Sequence, residues 1–129
     1  MKRSGILHGE LSGALARLGH TDQVVVADCG LPVPDGPRVV DLAFTFGVPP
    51  FLTVLDGLLA ELVVESAVVA AEIDEANPAC AAAVAERLPG AQRVPHEEFK
   101  RLVAGARLVV RTGEATPYAN VLLRCGVPF

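Results

Sequence analysis

Residues 19–34, GHTDQVVVADCGLPVP, decide the fold of this chain. Residues 24–27 (VVVA) are a short apolar run bounded by turn residues, which is typical of a central strand in a parallel sheet. His20 precedes this predicted strand and Asp28 follows it. Polar side chains at the mouth of such a strand commonly carry the chemistry of α/β proteins. We therefore expect this stretch to contribute to a small-molecule site.

The composition indicates one folded domain spanning residues 1–129. Hydrophobic residues make up 51% of the chain and charged residues 20%, so a core can be buried and disorder is excluded. The net charge is −4 and no basic run occurs. Nucleic acid is therefore not an expected partner, because its phosphates need clustered Lys and Arg.

The three cysteines, Cys29, Cys80 and Cys125, are widely spaced and form no Cys/His cluster. Neither a metal site nor a disulfide framework is expected. No phosphate-binding or dinucleotide-binding glycine motif occurs, so no cofactor is expected either. The basic start of the chain is not followed by the apolar segment of a signal peptide, and no apolar run has the length of a membrane span. The expected location is the cytoplasm, with reduced thiols.

Hydrophobic periodicity and turn residues predict alternating helices and strands. Helices are predicted over residues 10–18, 50–62 and 77–88 and from Pro95 onward, with Asn77 and Pro78 as a strong helix start. Strands are predicted over residues 23–27, 39–42, 63–73, 93–94, 108–111 and 120–124. This alternation predicts an α/β domain with helices on both faces of a largely parallel sheet.

His20 is the strongest candidate for acid–base chemistry, because histidine titrates near neutral pH. Gly19 is predicted to end the first helix in the left-handed conformation. An imidazolium just beyond a helix end also stabilises the helix dipole, so this structural role is an equal alternative.

Asp28 and His96 each allow two interpretations. A carboxylate at position 28 can accept hydrogen bonds from the hydroxyls of a polyol, but Asp before Gly is more often a loop cap. His96 follows Pro95 at a predicted helix start. It is either a ligand contact or a helix residue facing water, and the residues alone favour the second.

Residues 111–120, RTGEATPYAN, are dense in hydrogen-bonding groups. Arg111, Glu114, Tyr118 and Asn120 offer a guanidinium, a carboxylate, a phenol and an amide, which suits a neutral, hydroxyl-rich ligand. The alternative is a tight turn with internal caps and an Arg–Glu pair. If residues 111–120 bind a ligand, we expect them to form one site together with His96 and residues 19–34.

Several further blocks of sequence make the chain resemble the D-ribose pyranase family, a sister group of the fucose mutarotases. The resemblance covers nearly the whole chain. Its most specific parts are residues 18–22 (LGHTD), 27–32 (ADCGLP), 96–100 (HEEFK), 111–114 (RTGE) and 116–120 (TPYAN). So many matches in the same order make the resemblance specific.

The resemblance implies a three-layer α/β/α sandwich that interconverts the β-pyranose and β-furanose forms of D-ribose and so supplies ribose for phosphorylation. It implies no cofactor and a homo-oligomer, typically a decamer, with sites shared between subunits. The proton donor of the family maps onto His20. The sugar-binding positions map onto Asp28, His96, Tyr118, Ala119 and Asn120.

Three other functions compete with this one. An L-fucose mutarotase-like enzyme would differ in sugar preference. A non-catalytic sugar-binding accessory of ribose transport would need the same polar groups but no residue that titrates near neutrality, so His20 separates it from an enzyme. A thiol-redox role is the weakest, because Cys29 has no second cysteine nearby in sequence.

Overall fold

The computed structural model describes all residues, Met1–Phe129, and contains one six-stranded sheet with helices on both faces. No helix is long and apolar enough to cross a membrane. The elements in chain order are α1 (Gly9–Ala16), β1 (Gln23–Ala27), β2 (Arg38–Asp41), α2 (Phe51–Leu59), β3 (Val64–Ala70), α3 (Ile73–Ala76), α4 (Pro78–Arg87), β4 (Gln92–Val94), α5 (His96–Val103), β5 (Leu108–Arg111) and β6 (Val121–Cys125).

The strand order is β2-β5-β1-β6-β3-β4, and only β6 runs against its neighbours. The largely parallel sheet predicted from the sequence is therefore confirmed. The C-terminal ends of β2, β5, β1, β3 and β4 lie at one side of the sheet, where β6 begins. We call this side the carboxyl edge, and the opposite side, where β1 starts and β6 ends, the amino edge.

Side chains of β1 alternate between two hydrophobic cores. Val24 and Val26 face the first core, which α1, α2 and α4 cover. Val25 and Ala27 face the second core, which is covered by α5 with Phe99 and Val103. All four of these β1 residues are at most 1% exposed. The three-layer sandwich is confirmed, with one outer layer much thinner than the other.

The prediction that Gly19 ends the first helix in the left-handed conformation is wrong. The helix ends at Ala16 with Arg17 as its C-cap, and the left-handed residue is Thr21, at φ +70°. Contacts with distant residues determine the backbone of this turn, and the tendency of Gly19 to end a helix does not. The Thr21 amide donates to the carbonyl of Cys125 at 2.9 Å, and the Asp22 carboxylate accepts from the Gly19 amide at 2.7 Å.

The predicted strand over residues 63–73 is too long. The strand ends at Ala70, and Ile73–Ala76 forms the one-turn helix α3, which the sequence did not indicate. The helix start at Asn77 is confirmed, since its side chain accepts from the Cys80 amide and Pro78 occupies the first turn. The predicted bounds of β1 and β5 match those observed.

Candidate active site

Asp28 and Asn120 form a reciprocal pair at the carboxyl edge. The Asp28 amide donates to Asn120 Oδ1, and Asn120 Nδ2 donates to Asp28 Oδ2, both at 2.8 Å. Asn120 is 1% exposed, whereas Asp28 is half-buried. Asp28 Oδ1 also accepts from the Gly30 amide at 2.9 Å, so the loop-cap interpretation is confirmed. The contact fixes a carboxylate at the mouth of β1.

Arg111 holds the loop that follows Asp28. Its Nε and Nη2 donate to the carbonyl of Cys29 at 3.1 and 2.9 Å, and its Nη1 pairs with Asp41 at 2.9 Å. Glu114 instead accepts from the amide of Phe51, at the start of α2. The Arg–Glu pair of the tight-turn alternative does not form, since Arg111 and Glu114 each bind a different part of the chain.

His96 lies at the start of α5, directly after β4. Its amide donates to Glu72 Oε2 at 2.8 Å. Its ring meets the ring of Tyr118 edge to face, with centroids 5.0 Å apart. The residue is half-buried, and Nδ1 is fully buried without a hydrogen-bond partner in the chain. The ring therefore packs against Tyr118 and does not simply project into water, and a buried ring nitrogen without a partner calls for an explanation.

The Tyr118 backbone is held in the left-handed region, at φ +57°. Asn77 fixes the preceding turn, because its Nδ2 donates to Thr116 Oγ1 and to the Pro117 carbonyl, both at 2.9 Å. Ala119 is 0% exposed and its methyl group packs in the first core, so it contributes no side chain to the site. Sequence reasoning missed the role of Asn77 here, for which its capping signal gave no indication.

His20 lies at the amino edge, at the other end of β1 from Asp28. The five residues of β1 alone span roughly 16 Å. One chain therefore does not bring His20 together with Asp28, His96, Tyr118 and Asn120. The length of the predicted strand already carried this information.

The His20 side chain is 53% exposed, and its Nε2 lies 3.1 Å from Glu65 Oε2. It lies three residues beyond the C-cap of α1, and its partner is a side chain of β3. His8, for which the sequence gave no role, is the N-cap of α1, where its Nδ1 accepts from the Leu11 amide at 3.2 Å. His8 therefore caps the N-terminus of α1, whereas His20 binds a side chain of β3 and not the end of the helix.

The buried thiols are poor nucleophiles. Burial, assisted by the Glu114 charge, raises the pKa of Cys80 to about 11, and burial also raises the pKa of Cys125. The reactive species of cysteine is the thiolate, so both groups are inert at neutral pH. No three His, Cys, Asp or Glu side chains come together in a way that would hold a metal ion.

Comparison with known proteins gives a match along the whole chain. The profile of the RbsD / FucU transport protein family matches residues 1–128. The chain belongs to this family. A D-ribose pyranase 1 from Rubrobacter xylanophilus is 65% identical over 129 residues, with 100% of both chains covered.

Two solved structures bear on the fold. The Bacillus subtilis RbsD structure, complexed with D-ribose, is 45% identical and superposes with a TM-score of 0.95, with 100% of both chains covered. A fucose mutarotase from Streptococcus pneumoniae, in complex with L-fucose, has a TM-score of 0.83 over 100% of both chains. At 22% identity the second structure shows the shared fold alone.

The carboxyl edge of this family member offers groups that suit a sugar. Asp28, His96 and Tyr118 supply a carboxylate, an imidazole and a phenol at this edge, and the nearby Arg111 is engaged by Cys29 and Asp41. Carboxylate oxygens accept hydrogen bonds from hydroxyls, and imidazole and phenol both donate and accept. This edge can bind a neutral polyol, but it lacks the exposed histidine of the amino edge.

Proposed function

We propose that the protein is a D-ribose pyranase, an isomerase that interconverts the β-pyranose and β-furanose forms of D-ribose. The observation that carries the proposal is the full-length, 65% identity to a D-ribose pyranase. The likeness to the ribose-complexed Bacillus subtilis RbsD supports the same substrate. The polar groups of the carboxyl edge fit a neutral sugar.

The proposed reaction needs only proton transfers. His20 gives a proton to the ring oxygen, which takes the electron pair of the breaking C1–O bond. The anomeric hydroxyl loses its proton to water or to a carboxylate and becomes the aldehyde carbonyl. Closure through a different hydroxyl reverses these transfers, so neither a covalent nucleophile nor a nucleotide is required. A positioned acid contributes typically about 10²–10⁴-fold to such a step.

The proposed roles divide between the two edges of the sheet. Asp28, His96, Tyr118 and the buried Asn120 bind and orient the sugar, with Ala119 placing its two neighbours. Holding the open-chain aldehyde near the correct hydroxyl adds to the rate, because it replaces a search through many conformers. His20 is the proton donor. Since one chain keeps His20 far from the other residues, the complete site needs a second copy.

The proposal therefore includes a homo-oligomer, with a decamer as its expected size and sites shared between copies. A loop beside the carboxyl edge supports a contact between copies. Its Phe44 and Phe46 are 87% and 84% exposed and line a cavity of about 230 Å³ together with Cys29 and Arg111. Exposed aromatic side chains next to a polar site are typical of interaction surfaces. A cytoplasmic location is also proposed, in keeping with three free thiols.

Proton NMR magnetisation exchange on equilibrated D-ribose tests the activity. We expect catalytic amounts of the protein to create exchange between the pyranose and furanose anomeric signals. Ligand line broadening without exchange would indicate a sugar-binding accessory instead. Exchange with L-fucose but not with D-ribose would indicate a mutarotase of the fucose type.

Mixing of two impaired variants tests the shared site. We expect His20→Ala to be inactive and Asn120→Ala to be impaired by weaker ribose binding, and co-expression to raise activity above that of either variant by placing an intact His20 against an intact carboxyl edge. Analytical ultracentrifugation of the same samples measures the size of the oligomer. Failure to restore activity in oligomers shown to contain both variants would contradict a site built from two copies.

A further inference from the structure

Glu65 occupies a β-bulge in β3 opposite β6. Val64 pairs with Cys125 and Ser66 pairs with Arg124, so Glu65 is the extra residue between two consecutive partners. Val64 and Ala67 both pack against the first core, whereas Glu65 and Ser66 are both exposed. A bulge inserts one residue and re-aims side chains, often beside functional sites. Here it directs the Glu65 carboxylate away from the first core.

Both oxygens of this carboxylate are engaged. Oε2 lies 3.1 Å from His20 Nε2, and Oε1 lies 2.8 Å from Nε of Arg124. Arg124 anchors the carboxylate from β6, and the carboxylate in turn contacts the imidazole. The hydrogen bonds of the chain give His20 Nε2 a partner and leave Nδ1 without one.

The backbone around this contact is fixed on both sides. Cys125 accepts from the Thr21 amide and donates to the Asp22 carbonyl, both at 2.9 Å, which holds the segment that carries His20. Gly126 packs close to the same segment, since a Cβ there would lie 3.2 Å from Val63 Cγ1, a tight contact, and 3.4 Å from Glu65 Cβ, an ordinary one. The contact is thus built from the end of β6, the start of β3 and the segment that precedes β1.

Stability does not account for this arrangement. The two side chains are 53% and 37% exposed, and ion pairs at such sites contribute little to folding. A carboxylate that accepts from one ring nitrogen of a histidine fixes the tautomer and the ring orientation, and so leaves the other nitrogen for proton exchange. The contact between Glu65 Oε2 and His20 Nε2 has the geometry that this fixing of the tautomer requires.

The geometry points to Glu65 as a positioning residue that holds His20 through Nε2 and assigns the proton transfer to Nδ1. This inference rests on the proposed function, in which His20 is the acid of ribose ring opening. Protonated His20 gives its Nδ1 proton to the ring oxygen, keeps its Nε2–H on Glu65, and regains a proton at Nδ1 when the ring closes. Glu65 itself neither touches the sugar nor changes its protonation.

The test compares full-length wild type with Glu65→Gln and with Asp56→Asn as a matched control. Asp56 is also an exposed carboxylate paired with an arginine, Arg87, but it lies on α2. Magnetisation exchange at several ribose concentrations gives kcat and KM. Long-range ¹H–¹⁵N spectra of the ring nitrogens give the tautomer of His20. Only three histidines are present, and His20→Ala identifies the signals.

We expect Glu65→Gln to lower kcat by about tenfold or more while KM changes by less than about twofold, because orientation of the acid is lost and sugar binding is not. Asp56→Asn should keep both constants. In neutral wild type the His20 proton should reside on Nε2, and Glu65→Gln should add a population protonated at Nδ1.

Three results would overturn the inference: an unchanged kcat in Glu65→Gln, a rise in KM that accounts for the whole loss, or a wild-type Nε2 without its proton. Absence of ribose exchange in wild type would instead refute the proposed function. The ring spectra would then still decide whether Glu65 holds His20, so the two failures are distinguishable.

Discussion

The two edges of the sheet differ in how their polar groups are held. At the carboxyl edge, Asn120 is 1% exposed and binds Asp28 through both ends of its amide. At the amino edge, His20 is 53% exposed and has a single side-chain partner, Glu65. The proposed binding groups are thus held by contacts within one chain, whereas the proposed acid stands on an open surface.

This difference shows why a chain of this size would need a second copy to complete the proposed sugar site. A chain of 129 residues has limited interior, and groups fixed at one end of a strand cannot reach those at its other end. Pairing the carboxyl edge of one copy with the amino edge of another removes that limit. Burial of His20 against a second copy would also exclude water from the reacting sugar, which strengthens electrostatic contacts there.

The largest expected effect comes from His20→Ala. Loss of the proton donor should lower ribose exchange by about 10²–10⁴-fold, while ribose binding, measured by NMR titration, is retained. His8→Ala is the matched control, since it removes another exposed imidazole and should cost only about 1 kcal/mol of helix capping. Equal turnover in His20→Ala and wild type would show that His20 is not the proton donor, and the amino edge would then have no catalytic role.

The parts of the fold that could be predicted are those decided locally. The run Val24–Val26 is apolar and continuous because both faces of β1 are buried, and its bounds were therefore clear. The turn at Thr21 could not be predicted, because Cys125 holds it from a distant part of the chain. The bulge at Glu65 is similarly hidden, since it depends on the register with β6.

The candidate site was predictable in residue identity more than in arrangement. The density of polar groups in residues 111–120 indicated a site, and Tyr118 and Asn120 do lie at the carboxyl edge beside His96 and Asp28. The supporting roles of Glu72 and Asn77, the N-caps of α3 and α4, could not be predicted. Glu72 falls inside the strand predicted over residues 63–73, and the capping role of Asn77 gives no sign of its contacts with Thr116 and Pro117.

The next largest effect is expected from Gly113→Ala, which tests how tightly the carboxyl edge is packed. A Cβ at this position would lie 2.2 Å from the Val48 carbonyl oxygen and 2.6 Å from that of Thr45. Overpacking against backbone should cost about 3 kcal/mol, measured as a lower Tm at fixed protein concentration. Gly90→Ala has open space around it and is the control. A Tm equal to that of the control would show that this edge is not rigid.

A smaller effect is expected from Asn120→Ala. It leaves the Asp28 amide and one carboxylate oxygen without partners, which should lower stability by about 1–3 kcal/mol and also weaken ribose binding. Thermal unfolding and NMR titration measure the two losses. Thr116→Ala removes an exposed hydrogen bond with Asn77, whose Nδ2 keeps the Pro117 carbonyl, and should stay within about 0.5 kcal/mol of wild type. Similar losses in both variants would contradict a special role for the buried amide.

The smallest effect is expected from an ion pair between the outer helices α2 and α4. Arg87 donates hydrogen bonds to Asp56 and lowers the pKa of that carboxyl. An unfolded Asp titrates at about pH 3.9, so the ion pair stabilises the fold above that pH. This stabilisation is lost as the pH falls through the lower pKa of the folded state.

Asp56 is 52% exposed, so Asp56→Asn should cost less than about 1 kcal/mol near pH 7. The difference from wild type, measured by thermal unfolding, should begin to shrink as the pH falls below about 3.9 and should vanish below the lowered folded pKa of Asp56. A difference that stayed constant with pH would assign the effect to packing, and the ion pair would then no longer serve as an electrostatic control for Glu65.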